Sequence, residues 1–151
     1  MHNFTLHVAV KGNLPNAVVP TQGTPGAAGF DLYAAQMVLD EANQCVIVDT
    51  GLSTSFHNSH VMLIFGRSGL AMKHGILPAN GVGVVDSDYR GPIKVILRSS
   101  IKTPLEIMEI IKIGDRVAQA LFMPVSSVQF LQVDDLSTSE RGKGGFGSTG
   151  S

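Results

Sequence analysis

The chain has 151 residues, 44% of them hydrophobic and 15% charged, with a formal net charge of -1. That is enough apolar material for one core and one domain, and it lacks the basic footprint needed for stable binding to long nucleic acid. The single cysteine, Cys45, excludes a disulfide framework and a cysteine-based zinc site, and no apolar run reaches membrane-spanning length. The start of the chain shows no basic region followed by an apolar run, so a cytoplasmic location, or a host-cell interior for a virus-encoded protein, is expected.

Phe4, Leu6, Val8 and Val10 alternate with Thr5, His7 and Ala9, which predicts a strand. Residues 45–48, 61–65, 93–97, 117–122 and 128–133 read as further short strands broken by glycine, proline and asparagine. This spacing predicts an all-β chain, a jelly-roll-like β-barrel or sandwich, rather than alternating strands and helices. One short helix is expected, capped by Ser68, carrying Leu70, Ala71 and Met72, and ended by Gly75. Residues 105–111 stay open between helix and strand. Composition shifts after about Leu136, dividing the chain into a barrel domain, 1–136, and a glycine-rich arm, 137–151.

Three segments carry chemistry. Residues 66–75 set the Arg67 guanidinium, the Ser68 hydroxyl and the Gly69 amide side by side, a combination suited to phosphate oxygens; capping by Ser68 with a solvated Arg67 is the structural alternative. Residues 80–91 read as a hairpin in which Gly81 and Gly83 let a ligand approach the backbone, and Asn80 offers both a donor and an acceptor. Val84 and Asp86 share a strand face, which makes Asp86 a candidate general base; turn residues bonding their own backbone are the commoner use of an Asp-Ser-Asp cluster. The tail, 141–150, gathers bare amides, Arg141, Lys143, Ser148, Thr149 and the ring of Phe146. It lacks the glycine-lysine pair followed by serine or threonine of a P-loop, and it does not open a helix after a strand. His2, His7, His57, His60 and His74 show no metal-ligand spacing.

Five segments in order, 28–34, 66–75, 83–91, 114–119 and 141–150, together resemble the motifs of the trimeric deoxyuridine triphosphate nucleotidohydrolases, the dUTPases. The resemblance implies a jelly-roll barrel and a homotrimer whose three active sites lie at subunit boundaries, each closed by an arm. It implies hydrolysis of dUTP to dUMP and pyrophosphate by water attacking the α-phosphorus, which limits uracil incorporation into DNA and supplies dUMP for thymidylate synthesis. By the same resemblance Asp86 activates the water. Arg67, Ser68, Gly69 and Gln119 hold the phosphate chain, and Arg141, Gly147, Ser148 and Thr149 reach the distal phosphate. Phe146 stacks on uracil, while Asn80 and the backbone of Gly83, Val84 and Val85 read its edge. Tyr89 packs beneath the deoxyribose and Lys94 reaches the ligand. Magnesium (Mg2+) is expected, held by phosphates and waters with no direct protein ligand, Asp31 contributing only through water. Asp115 and Arg116 are expected to support the fourth motif through a turn and an ion pair.

The chain departs from that pattern at Gly66, where proline is usual and where a looser loop is expected, and at Pro92, which removes a strand donor. Two other classes stay open: a deoxycytidine triphosphate deaminase of the same superfamily, separated by ammonia release, and a protein-binding switch on the same scaffold, separated by partner capture with and without a nonhydrolysable dUTP analogue, where nucleotide-insensitive recovery counts against it.

Overall fold

In the computed structural model, residues 5–145 are described. The elements in chain order are β1 (Ala9–Gly12), β2 (Thr21–Gln22), β3 (Phe30–Tyr33), β4 (Gln36–Asp40), β5 (Cys45–Asp49), β6 (Leu52–Ser55), β7 (His60–Phe65), α1 (Ser68–His74), β8 (Ile76–Pro78), β9 (Gly83–Val85), β10 (Lys94–Ser99), α2 (Pro104–Ile110) and β11 (Arg116–Pro124). All pairings are antiparallel. Three sheets result, ordered β1-β6, β4-β5-β10-β8 and β2-β3-β11-β7-β9. The strand-rich, jelly-roll-like expectation holds, although the sheets do not close into a barrel.

Alternation explains which faces meet. In β5, Val46 and Val48 are fully buried, and in β10, Val95 and Leu97 turn the same way, while Lys94, Ile96 and Arg98 face outward. Ile107 of α2 and the following Ile111 are buried in the same core. Phe122 of β11 makes edge-on contacts with Phe56, just beyond β6 (5.2 Å), and with Phe30 of β3 in its own sheet (6.3 Å).

The segment left open, 105–111, is largely helix α2. Thr103 and Glu106 form a reciprocal capping box and Pro104 sits in the first turn, where its missing N–H costs nothing. In α1, Gly75 ends the helix at φ 61° as expected, but Arg67, not Ser68, is the N-cap. Arg67, two residues beyond β7, has an extended backbone, whereas Ser68 is already helical, so its hydroxyl has no capping role.

Two strand expectations fail. Residues 5–8 are irregular and β1 begins only at Ala9, because its partner β6 runs out at Ser55, opposite Ala9. Residues 128–133 form no strand and stay exposed; among the described residues no strand edge pairs with them.

Candidate functional site

The register of the five-stranded sheet assembles the first cluster. Gln119, near the middle of β11, stands opposite Asp31 of β3 on one side and Phe65 of β7 on the other. Residues from three distant stretches of sequence therefore share one patch. They line an open cleft of about 740 Å³ whose walls include Gly29, Gly66, Arg67, Ser68, Arg116 and Gln119.

Asp31 is the hub of that cleft. Its Oδ1 lies 3.1 Å from Arg67 Nε and its Oδ2 accepts from Arg116 Nη1 at 3.4 Å, with the carboxylate side chain only 14% exposed. Arg67 Nη1 also donates to the Arg116 carbonyl at 3.4 Å. Two guanidinium groups are thus held beside one carboxylate, leaving an excess positive charge over a glycine-lined floor, which suits a polyanion. The ion pair expected for Arg116 is present, made across the sheet to Asp31. Asp115 forms the expected turn, accepting from the Lys112 N–H at 2.8 Å.

Gln119 Nε2 donates to the Gly66 carbonyl at 3.0 Å. A Cβ on Gly29 would lie 2.7 Å from Gln119 Oε1, so glycine is needed there for the amide to lie flat against the first motif. At Gly66 space is short: a Cβ there would meet Pro78 Cδ at 2.9 Å.

The hairpin residues form a second, separate depression of about 260 Å³, walled by Val84, Val85, Asp86, Tyr89 and Lys94, among others. Val84 (65% exposed) and Asp86 face solvent, while Val85 packs against the core, in keeping with the strand alternation. Tyr89 Oη donates to the Pro92 carbonyl at 3.2 Å, and its ring lies over Gly91, where a Cβ would fall 2.3 Å from the hydroxyl oxygen. Lys94 Nζ sits 3.7 Å from Asp49 Oδ2. Pro92 precedes β10, so it removes no ladder bond.

The two depressions share no lining residue. Asn80 lines neither; it borders a third hollow with Asp40, Asn43 and Arg98. Arg141 lies in a turn where its Nε donates to the Gly144 carbonyl at 2.8 Å, outside both depressions. Phe146, Gly147, Ser148 and Thr149 lie outside the described residues. Asp31 as anchor of both arginines, and Gly29 as the seat of Gln119, were not read from sequence; the glycine preceding the aromatic and acidic pair was the available signal. Among the described residues no three histidine, cysteine or acidic side chains cluster as a metal cage, and no helix is long and apolar enough to cross a membrane.

The dUTPase family model matches residues 15–150. The chain belongs to the dUTPase family. A deoxyuridine 5'-triphosphate nucleotidohydrolase from Desulfitobacterium hafniense is 46% identical over 135 residues, covering 87% of each chain. One from Yarrowia lipolytica is 46% identical over 137 residues, 89% of this chain and 83% of its own. Among solved structures, the dUTPase of Staphylococcus bacteriophage 80alpha with dUpNHpp superposes with a TM-score of 0.80 at 25% identity, covering 96% of this chain and 99% of the other. The dUTPase of phage phi11 of S. aureus, described for its coordination of a structural Mg(II) ion, gives 0.71 at 20% identity over 85% and 97%.

Proposed function

We propose that this chain hydrolyses dUTP to dUMP and pyrophosphate. The observation that carries the reading is the division of labour between two half-sites: an arginine-rich, glycine-floored cleft, and an apolar hairpin slot holding a solvent-facing carboxylate. Family membership supplies the substrate; the half-sites supply a place for each part of it.

Water attacks the α-phosphorus, Asp86 accepts its proton, and the bond to the β-phosphate bridging oxygen breaks to release pyrophosphate. The Arg67 guanidinium, the Ser68 hydroxyl and the Gly69 N–H hold the phosphates, with Gln119 keeping the loop in place. Ser68 is free for this task because it does not cap α1. Asn80 and the backbone of Gly83, Val84 and Val85 read the uracil edge. Tyr89 packs under the deoxyribose, where a ribose hydroxyl has no room, and Lys94 adds charge beside it.

Because the two half-sites are separate in one chain, a complete site takes its cleft from one subunit and its hairpin from another, as in a homotrimer. The exposed apolar residues Val128 (66%), Phe130 (93%), Leu131 (75%) and Leu136 (88%) support assembly, since such a run gains by being covered. The arm, 137–151, closes the site with Arg141, Phe146, Gly147, Ser148 and Thr149.

Magnesium fits this donor set only if phosphates and waters fill most of its coordination. Asp31 already serves two arginines through both oxygens, so it reaches a metal through water rather than directly. When bound, the ion neutralises phosphate charge.

The test is pyrophosphate release from dUTP with magnesium, beside dCTP, dTTP and UTP, for the wild type and Asp86→Asn. Release from dUTP alone, abolished in a folded variant, is the expected outcome; ammonia release or no turnover by the folded protein rejects the reading.

A further inference from the structure

The segment running from the end of β7 through α1 into β8 is a loop whose two ends touch. Gly66 opens it and Pro78 closes it, and between them lie Arg67, Ser68 and Gly69. The contact is tight: a Cβ on Gly66 would sit 2.9 Å from Pro78 Cδ, closer than packed carbon atoms approach. Cδ is bonded to the backbone nitrogen of its own residue, so it cannot swing aside as a long side chain does.

Gly66 has no positive φ, unlike Gly51, Gly75, Gly81, Gly114 and Gly142. Its backbone therefore tolerates any L-residue, and space alone demands glycine. Pro78 in turn has little freedom. It is buried, pairs with Leu97 of β10, and its carbonyl accepts from the Gly81 N–H at 3.1 Å. The Gly66 carbonyl is held from the other side by Gln119 Nε2 at 3.0 Å, and Arg67 by Asp31 at 3.1 Å.

We infer that Pro78 is a positioning residue for the phosphate-holding loop: its ring presses on Gly66 and fixes how far Arg67, Ser68 and Gly69 stand out over the cleft. Gly66 and Pro78 are then a coupled pair, and a side chain at 66 requires a smaller residue at 78. β7 belongs to the five-stranded sheet and β8 to the four-stranded one, so this contact also sets the spacing of the two sheets at the edge of the cleft. The inference rests on the hydrolase reading for its link to substrate, but the contact itself does not.

The experiment is a double-mutant cycle of Gly66→Ala, Pro78→Ala and both, read by KM and kcat for dUTP and separately by thermal melting. Gly66→Ala moves the loop by a few tenths of an ångström, and we expect KM to rise on the order of tenfold with a smaller change in kcat. Its Tm falls by about 2–6 °C. In the double variant the new methyl group occupies the space left by the ring, and KM returns to within about threefold of Pro78→Ala alone, a non-additive result that two independent structural lesions do not give. A double variant with the sum of both defects in KM and Tm overturns the inference. If Gly66→Ala fails to fold, the double variant must fold, and a double that also fails overturns it equally. Wild-type protein that does not hydrolyse dUTP defeats the functional reading alone, since the melting cycle still reports the contact without turnover.

Discussion

Replacing Asp31 by asparagine keeps the side chain's shape and removes the one negative charge that two arginines share. The nearest approaches are 3.1 Å to Arg67 and 3.4 Å to Arg116. With charge centres about 4 Å apart and an effective dielectric constant of about 20, each pair is worth about 4 kcal/mol before solvation. Solvation takes back most of it: the Arg116 side chain is 50% exposed and that of Arg67 29%, against 14% for Asp31. An exposed pair retains about 0.5 kcal/mol and the better-shielded Arg67 pair about 1–1.5 kcal/mol, for a net loss near 2 kcal/mol. In a domain of this size that lowers Tm by about 4–8 °C, measured by far-ultraviolet circular dichroism at fixed protein concentration and low salt. The carboxamide also leaves two like charges facing each other, so the deficit shrinks as salt is raised from about 0.05 to 0.5 M. Untethering Arg67 should cost on the order of tenfold in kcat/KM, even though the cleft becomes more positive, because a mobile guanidinium pays ordering entropy on every binding event. A variant that melts within about 1 °C of wild type at low salt, with the same salt dependence, would refute the role of Asp31 as the hub.

Gly91→Ala puts a methyl group where the Tyr89 hydroxyl lies, 2.3 Å away, so the ring must leave the hairpin; KM for dUTP should rise about tenfold and discrimination against UTP should fall, read by parallel pyrophosphate assays. Thr103→Ala removes one side of the α2 capping box and should lower stability by about 1 kcal/mol in denaturant titrations, leaving KM unchanged. Glu106 is held below its ordinary value of 4.5, first by the Thr103 backbone N–H and then by Lys102 and the Thr103 hydroxyl. A lowered folded value means that its contribution is present above pH 4.5 and lost as pH falls through the folded value, so the gap between wild type and Thr103→Ala should narrow in acid melts. Deleting residues 137–151 should abolish turnover with little change in Tm, and Phe130→Asp should shift the protein towards monomer in sedimentation and reduce activity with it.

Much of this protein was written in local order. Short apolar runs along 45–48, 61–65 and 93–97 were enough to place three central strands, because a run of about four to six apolar, largely β-branched residues bounded by turn residues fits a strand buried in the core whatever its partner is. Gly75 was legible as a helix end because an αL residue there is a local requirement. The chemistry-bearing residues, Arg67 to Gly69, Asp86, Tyr89 and Gln119, were legible as types in recognisable segments.

What sequence left undecided was decided by neighbours in space. Ser68 looked like a cap, but Arg67, extended two residues past the end of β7, takes that position. Residues 128–133 carry enough apolar and β-branched side chains to read as a strand, yet a strand needs an edge to pair with, and among the described residues none pairs with them. Residues 5–8 stop short of a strand for a like reason, since β6 ends opposite Ala9. That Asp31 is held between two guanidinium groups follows from the β3-β11 register, a partnership spanning 85 residues for Arg116. Apolar runs and end signals act within a few residues, so sequence by itself determined the central strands, the helix end and the families of groups available. Register, sheet pairing and the meeting of Gly66 with Pro78 are long-range steric facts, and only the tertiary structure decided them.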